Sequence, residues 1–156
     1  MKKQMQKQNG FTLVELVVVI IILGILAVTA APKFINMQSD ARVSTLQGVK
    51  GAINGANVMV YAKTSLKGAN NKDSYPLTID GIATPVSTVY GYVAGTSGAV
   101  TAVASLESQD WTVTDNNAGT VTIQQKNAPT DCTLTYTQAS SGALPSFGSI
   151  PDASKC

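Results

Sequence analysis

From Phe11 to Ala31 the chain runs for 21 residues with one charge, Glu15. As a helix this run is about 31 Å long, matching the roughly 30 Å hydrocarbon core of a bilayer. A head built from the rest of a 156-residue chain is too small to bury such a helix. The run needs lipid first and other copies of itself later. Lys2, Lys3 and Lys7 precede it, which argues for a cytoplasmic N-terminus with the remainder exported. A secretory signal is the competing reading, with Thr29-Ala30-Ala31 as a loose cleavage site. The run exceeds a normal signal core, however, and helical periodicity continues past it. A nucleic-acid arm is a weaker reading of the three lysines, because no basic block of five or six residues exists.

Composition closes off much chemistry. There is no histidine, so His-dependent triads and His-ligated metals are excluded. Two cysteines are too few for a structural zinc or iron–sulfur site. The formal charge is +2, with 11 basic and nine acidic residues; removing the three leader lysines leaves eight against nine, or −1. Asp110, Asp115 and Asp131 are scattered among turn residues, where solvated loops explain them. No enzyme activity, cofactor, metal or specific nucleic-acid partner is expected.

Glu15 is the informative residue. A carboxylate in a membrane helix costs a few kcal/mol unless it is paired or near the interface. A shallow position within reach of headgroups is the plainer reading. If the chain were cut between Gly10 and Phe11, however, Glu15 would lie one helical turn from a new α-amino group. That ammonium could pair with the Glu15 of a neighbouring, axially offset copy. Such pairing is strong in a dry environment and would set stagger.

Lys2-Lys3, then Gly10-Phe11-Thr12-Leu13-Val14-Glu15-Leu16 and the apolar run, resemble the class III signal of type IVa prepilins. Leu23–Val28, Ala31–Ile35 and Gln38–Arg42 are especially similar to the mannose-sensitive haemagglutinin pilins of that family. The likeness is close over residues 10–62 and looser beyond. It implies cleavage after Gly10 by a prepilin peptidase and N-methylation of Phe11. It also implies pairing of Glu15 with an adjacent subunit's Phe11 amine during assembly. Gly24 and Pro32 match the positions between which similar pilins lose helical hydrogen bonds in the fibre. Glycine costs about 1 kcal/mol and proline about 3 within a helix, and proline leaves Val28 without a backbone donor. Gly24 equally suits close helix packing. Ala52 stands where many similar pilins carry a second proline, with Gly48, Gly51 and Gly55 around it.

The resemblance and the residue pattern together divide the chain into four parts. Residues 1–10 form a cleaved leader, 11–31 the membrane or fibre-core helix, 32–66 its amphipathic half, and 67–156 a globular head. Val43, Leu46, Val49, Ile53, Ala56 and Val60 form one apolar stripe, with Gln47, Lys50, Asn54 and Asn57 mostly off it. This stripe suits a helix lying on a sheet better than a coiled-coil partner site. Lys67-Gly68 is a plausible stop, and 68–88 reads as a loop by composition. Alternation predicts strands around Tyr90–Ala94, Trp111–Val113, Val121–Ile123 and Leu134–Tyr136, with a hairpin turn at Asp115–Gly119. Ala99 to Glu107 is ambiguous between helix and strand. The expected class is α+β, a long N-terminal helix on an antiparallel sheet of about four strands.

Cys132 and Cys156 read as a disulfide in an exported domain, worth about 3 kcal/mol. A redox pair is the alternative, without CxxC spacing to support it. In similar pilins such a bond bounds a variable surface loop.

The whole points to the major subunit of an adhesive type IV pilus. It is first held in the inner membrane, N-terminus cytoplasmic, and then exported as an extracellular homopolymer of a Gram-negative bacterium. An assembly platform and motor, and a carbohydrate or surface receptor, are its implied partners. A type II secretion pseudopilin shares the same signal, and a DNA-uptake pilin is a weaker alternative. Replacing Gly10 by phenylalanine should leave the full-length precursor in membranes on immunoblots; a fully matured chain would refute the assigned cut.

Overall fold

The stripe from Val43 to Val60 dictates what the head is built on. The computed structural model describes residues 10–156; the lysines of the leader lie outside the described residues. The chain divides into two compact units, one through Met37 and one from Gln38 to Cys156. Helix α1 spans Leu13–Leu66. In the second unit it buries Leu46, Val49, Ile53 and Val60. It ends in a Schellman turn, with Gly68 N–H bonding Ser65 C=O, Ala69 N–H bonding Thr64 C=O, and Gly68 at φ 64°. Ala69 is fully buried against this end.

Two antiparallel sheets follow. The first joins β1 (Tyr75–Leu77), β2 (Val86–Val89) and β3 (Tyr92–Val93) in that order. Helix α2 (Ser97–Ala104) comes next, capped by the Thr96 hydroxyl. The second sheet joins β4 (Trp111–Asp115), β5 (Thr120–Gln125), β6 (Thr133–Thr137) and β7 (Ser146–Phe147). Period-2 alternation buries Val121 and Ile123 of β5 opposite Tyr136 and Leu134 of β6. These four side chains share one core with Leu46, Ile53, Val60, Val93 and Val100.

The α+β class and an antiparallel sheet of four strands match the sequence reading, but the membership of that sheet differs: the strand expected around Tyr90–Ala94 pairs in the first sheet, and the short β7 takes the fourth place. Three further details differ. The stretch read as a loop from 68 to 88 contains β1 and most of β2, giving a second sheet. Its strands are short, and β1 is an edge strand that tolerates Pro76 because it needs no second ladder. Tyr90 is not in a strand but at φ 48°, in the two-residue turn with Gly91 that joins β2 to β3. Ala99–Glu107, left ambiguous by its apolar pattern, is helical through Ala104.

Asn57 is also a correction, because it lies within the buried face rather than off it. Its Oδ1 accepts the Val93 N–H at 3.0 Å, while the Tyr136 hydroxyl donates to Val93 C=O at 2.7 Å and contacts the Asn57 side chain at 3.4 Å. Val93 ends the first sheet, so its backbone groups take side-chain partners from α1 and β6. Thr64 does the same for Gly91 C=O at 3.1 Å.

The Cys132–Cys156 disulfide forms and is buried. Arg42 of α1 donates to Cys156 C=O at 2.6 Å and Asn127 C=O at 3.1 Å, tying the helix to both sides of that loop. Phe147 packs on Tyr136, with ring centroids 5.1 Å apart, and Lys50 lies 5.6 Å from the Phe147 centroid.

Burial pushes the Tyr136 phenol up to about 12, above the ordinary value near 10. A pKa raised by folding stabilises the fold fully below about pH 10 and loses that contribution as pH rises through 12. Urea melts at rising pH should therefore show a stability loss over pH 10–12 that Tyr136→Phe flattens. Asn57→Ala should cost about 1–3 kcal/mol at pH 7, by stranding the Val93 N–H. Unchanged midpoints would refute the network's role.

Candidate functional site

Residues 10–12 are non-helical, and Gly10 and Phe11 are exposed, Phe11 at 87%. Among the described residues a Cβ placed on Gly10 would meet nothing within 4 Å, so their packing does not demand glycine there.

Thr12 and Glu15 then build a capping box, the Thr-x-x-Glu pattern at a helix start. The Glu15 N–H donates to Thr12 Oγ1 at 3.3 Å. In return the Thr12 N–H and hydroxyl donate to Glu15 Oε2 at 2.8 and 2.7 Å. The carboxylate also sits in the first turn, where the helix dipole favours negative charge. Both bonds use Oε2; among the described residues Oε1 takes no donor. Glu15 therefore caps its own helix while one oxygen stays available to a second, external donor. Sequence reasoning missed Thr12, although the Thr-x-x-Glu spacing was legible.

Beyond the cap, the large side chains Leu13, Val14, Leu16 to Leu23, Ile25, Leu26 and Val28 are all exposed. This is the one described helix long and apolar enough to cross a membrane, and none of its apolar window is buried. The helix runs unbroken through Gly24 and Pro32 in the lone chain. A Cβ on Gly24 would again meet nothing within 4 Å. The residues the sequence singled out thus lie along one segment: Gly10 and Phe11, where cleavage and methylation are expected, then Glu15, Gly24 and Pro32. Cys132 and Cys156 belong to the separate head unit.

Residues 5–31 match the model of the prokaryotic N-terminal methylation motif. The chain is 36% identical over 103 residues to fimbrial protein EcpC of Eikenella corrodens, covering 65% of each. It is 32% identical over 82 residues to the type IV narrow pilus major component PilA5 of Thermus thermophilus, covering 53% of this chain and 69% of the relative. The chain belongs to the type IV pilin family. This pilin is also 42% identical over 53 residues to type II secretion system core protein G of Pseudomonas aeruginosa, spanning 34% of this chain and 37% of that protein. The matches to the fimbrial and secretion proteins thus cover less than two thirds of those relatives' length. No solved structure gives a significant match.

As a pilin subunit with an exposed cap, the chain should feel the loss of Thr12 locally. Thr12→Ala should weaken the first turn by about 1 kcal/mol, roughly a fivefold faster hydrogen exchange at the Glu15 and Leu16 amides, which bond to Thr12, in detergent micelles. Unaltered exchange there would contradict the capping box.

Proposed function

We propose that this pilin is the major structural subunit of an adhesive type IV pilus. The observation that carries the reading is an apolar helix with no cover of its own, headed by an acidic residue with an unused oxygen. A prepilin peptidase cuts after Gly10 at the cytoplasmic face of the inner membrane and N-methylates Phe11. The ammonium of one subunit then meets Glu15 of its neighbour. An assembly platform and motor draw the membrane-held chain into an extracellular homopolymer of a Gram-negative cell. Residues 1–10 are lost, 11–31 become the fibre core, and 32–66 with 67–156 form the outer layer.

Lipid is as apolar as a helix bundle, so hydrophobic transfer alone barely drives extraction from the membrane. An unpaired carboxylate within the apolar helix, in contrast, is costly, though less so this close to the interface. Pairing it in the fibre rewards assembly and fixes the axial offset. Gly24 and Pro32 let the core helix loosen where packing requires it. The resemblance to haemagglutinin pilins supports attachment to surfaces or host cells as the use of the fibre.

A type II secretion pseudopilin is the second reading, favoured by the likeness to core protein G. The terminal disulfide and the absence of a clustered acidic loop near the C-terminus of the sequence support the pilin instead. Glu15→Ala should leave cleavage intact while fibre counts by electron microscopy fall at least tenfold. Abundant normal fibres from this variant would sink the pairing mechanism.

A further inference from the structure

A groove of about 350 Å³ runs along one flank of α1 in the head, a size that suits a small ligand. Its floor carries Ala52, Ala56, Met59 and Lys63, spaced 4, 3 and 4 residues apart and therefore stacked on successive turns of one helix face. Such a floor is straight and about 16 Å long. Ile79 and Ile82 of the β1–β2 connection and Val103 of α2 form the wall. The Ile82 N–H donates to Ile79 C=O at 3.1 Å, and all three side chains pack against the buried core, so the wall is preformed. Met59 is 65% exposed, which leaves the apolar floor without a cover of its own.

What the lining omits narrows the ligand. Apart from Lys63 it holds only aliphatic side chains, one thioether and one glycine. It offers no ring for stacking and no hydroxyl or carboxamide for hydrogen bonding. A ligand with polar groups spread along its length would lose their water contacts there and gain no partners. The polar atoms of a fitting ligand are confined to one end.

Lys63 gives that end its sign, because it lies at the C-terminal limit of the floor. An ammonium has three donors and no acceptor. Among the described residues its one hydrogen bond goes to Asp80 Oδ2 at 3.4 Å. Asp80 is exposed and stands outside the groove lining, and exposed ion pairs of this kind contribute little. The ammonium is thus held at the mouth of the groove with donors to spare for a second anion.

We infer that this groove binds a linear aliphatic carboxylate, its chain extended along the α1 floor and its head group paired with Lys63. A straight apolar floor, a lining without neutral polar groups and a single cation at one end each fit that amphiphile. An extended apolar peptide fits less well, since its backbone amides need partners along their whole length. The site belongs to the head alone and is independent of whether the fibre is adhesive.

The test places the full chain in phospholipid nanodiscs with dodecanoate carrying a diazirine at its far end, irradiates, and maps adducts by mass spectrometry. Adducts on Leu13–Val28 report partitioning into lipid and serve as the internal reference. Peptides holding Ala52 and Ile82 should also be labelled, and free dodecanoate should suppress that labelling at least tenfold better than dodecanol. A Cβ on Gly55, another lining residue, would meet nothing within 4 Å, and leucine is a better helix former than glycine. Gly55→Leu should therefore fill the groove without unfolding the head, cutting groove labelling at least tenfold while the reference is unchanged. Lys63→Gln should erase the preference for the carboxylate over the alcohol, and Asp80→Asn, which removes the competing anion, should strengthen groove labelling. Adducts confined to the reference segment, groove labelling that Gly55→Leu retains, or equal competition by the alcohol would each overturn the inference. Groove labelling that falls as subunit density in the discs rises would make a second copy the occupant and overturn it as well.

Discussion

The uncovered apolar surface of Leu13–Val28 is the constraint on which everything else in this pilin depends. Burying each of these side chains is worth about 1.5–3 kcal/mol relative to water, and the chain itself buries none of them. The subunit therefore has two stable environments, lipid and a bundle of its own copies. Because these are nearly equal for aliphatic surface, polar detail has to separate them. Glu15 is the polar detail in the right place. Its local bonds to Thr12 satisfy one carboxylate oxygen and hold the other at the start of the helix. The capping box thus serves folding in the lone chain and leaves one carboxylate oxygen free, as the proposed pairing with a neighbour's ammonium requires.

The head solves a different problem, which is to hold a helix that enters it from elsewhere. Leu46, Ile53 and Val60 fill the core, but apolar contact alone does not fix a helix's register. The Asn57–Val93–Tyr136 group does, since it satisfies a sheet edge only at one helix position. Arg42 adds a second tie, to Cys156 at the end of the disulfide loop and to Asn127 ahead of its start. Polar groups buried with their partners make this packing specific, and displacing one partner leaves the others unsatisfied.

Long periodic signals were legible in the sequence, and short or cooperative ones were not. The span from Phe11 to Ala31, the buried stripe and three of the four strands of the second sheet followed from periodicity over many residues. Of the first sheet only β3 fell inside an expected strand, the one around Tyr90–Ala94; β1 has three residues, too few for alternation to register, and Pro76 reads as a turn former. Asn57 looked like surface because its value comes from Val93 and Tyr136, which are distant in sequence. Of the candidate site, Gly10, Phe11 and Glu15 stood out through an ordered motif and an isolated charge. Thr12 was legible as half of a capping box but was obscured by the stronger reading of its neighbours.

The most direct measurement is to shear intact cells, pellet the released fibres and read the N-terminal peptide by mass spectrometry. An abundant chain beginning with N-methylated Phe11 in the sheared fraction is the result expected of a processed, fibre-forming major pilin. The same processed chain confined to the cell envelope, or fibres whose subunits retain residues 1–10, would contradict it.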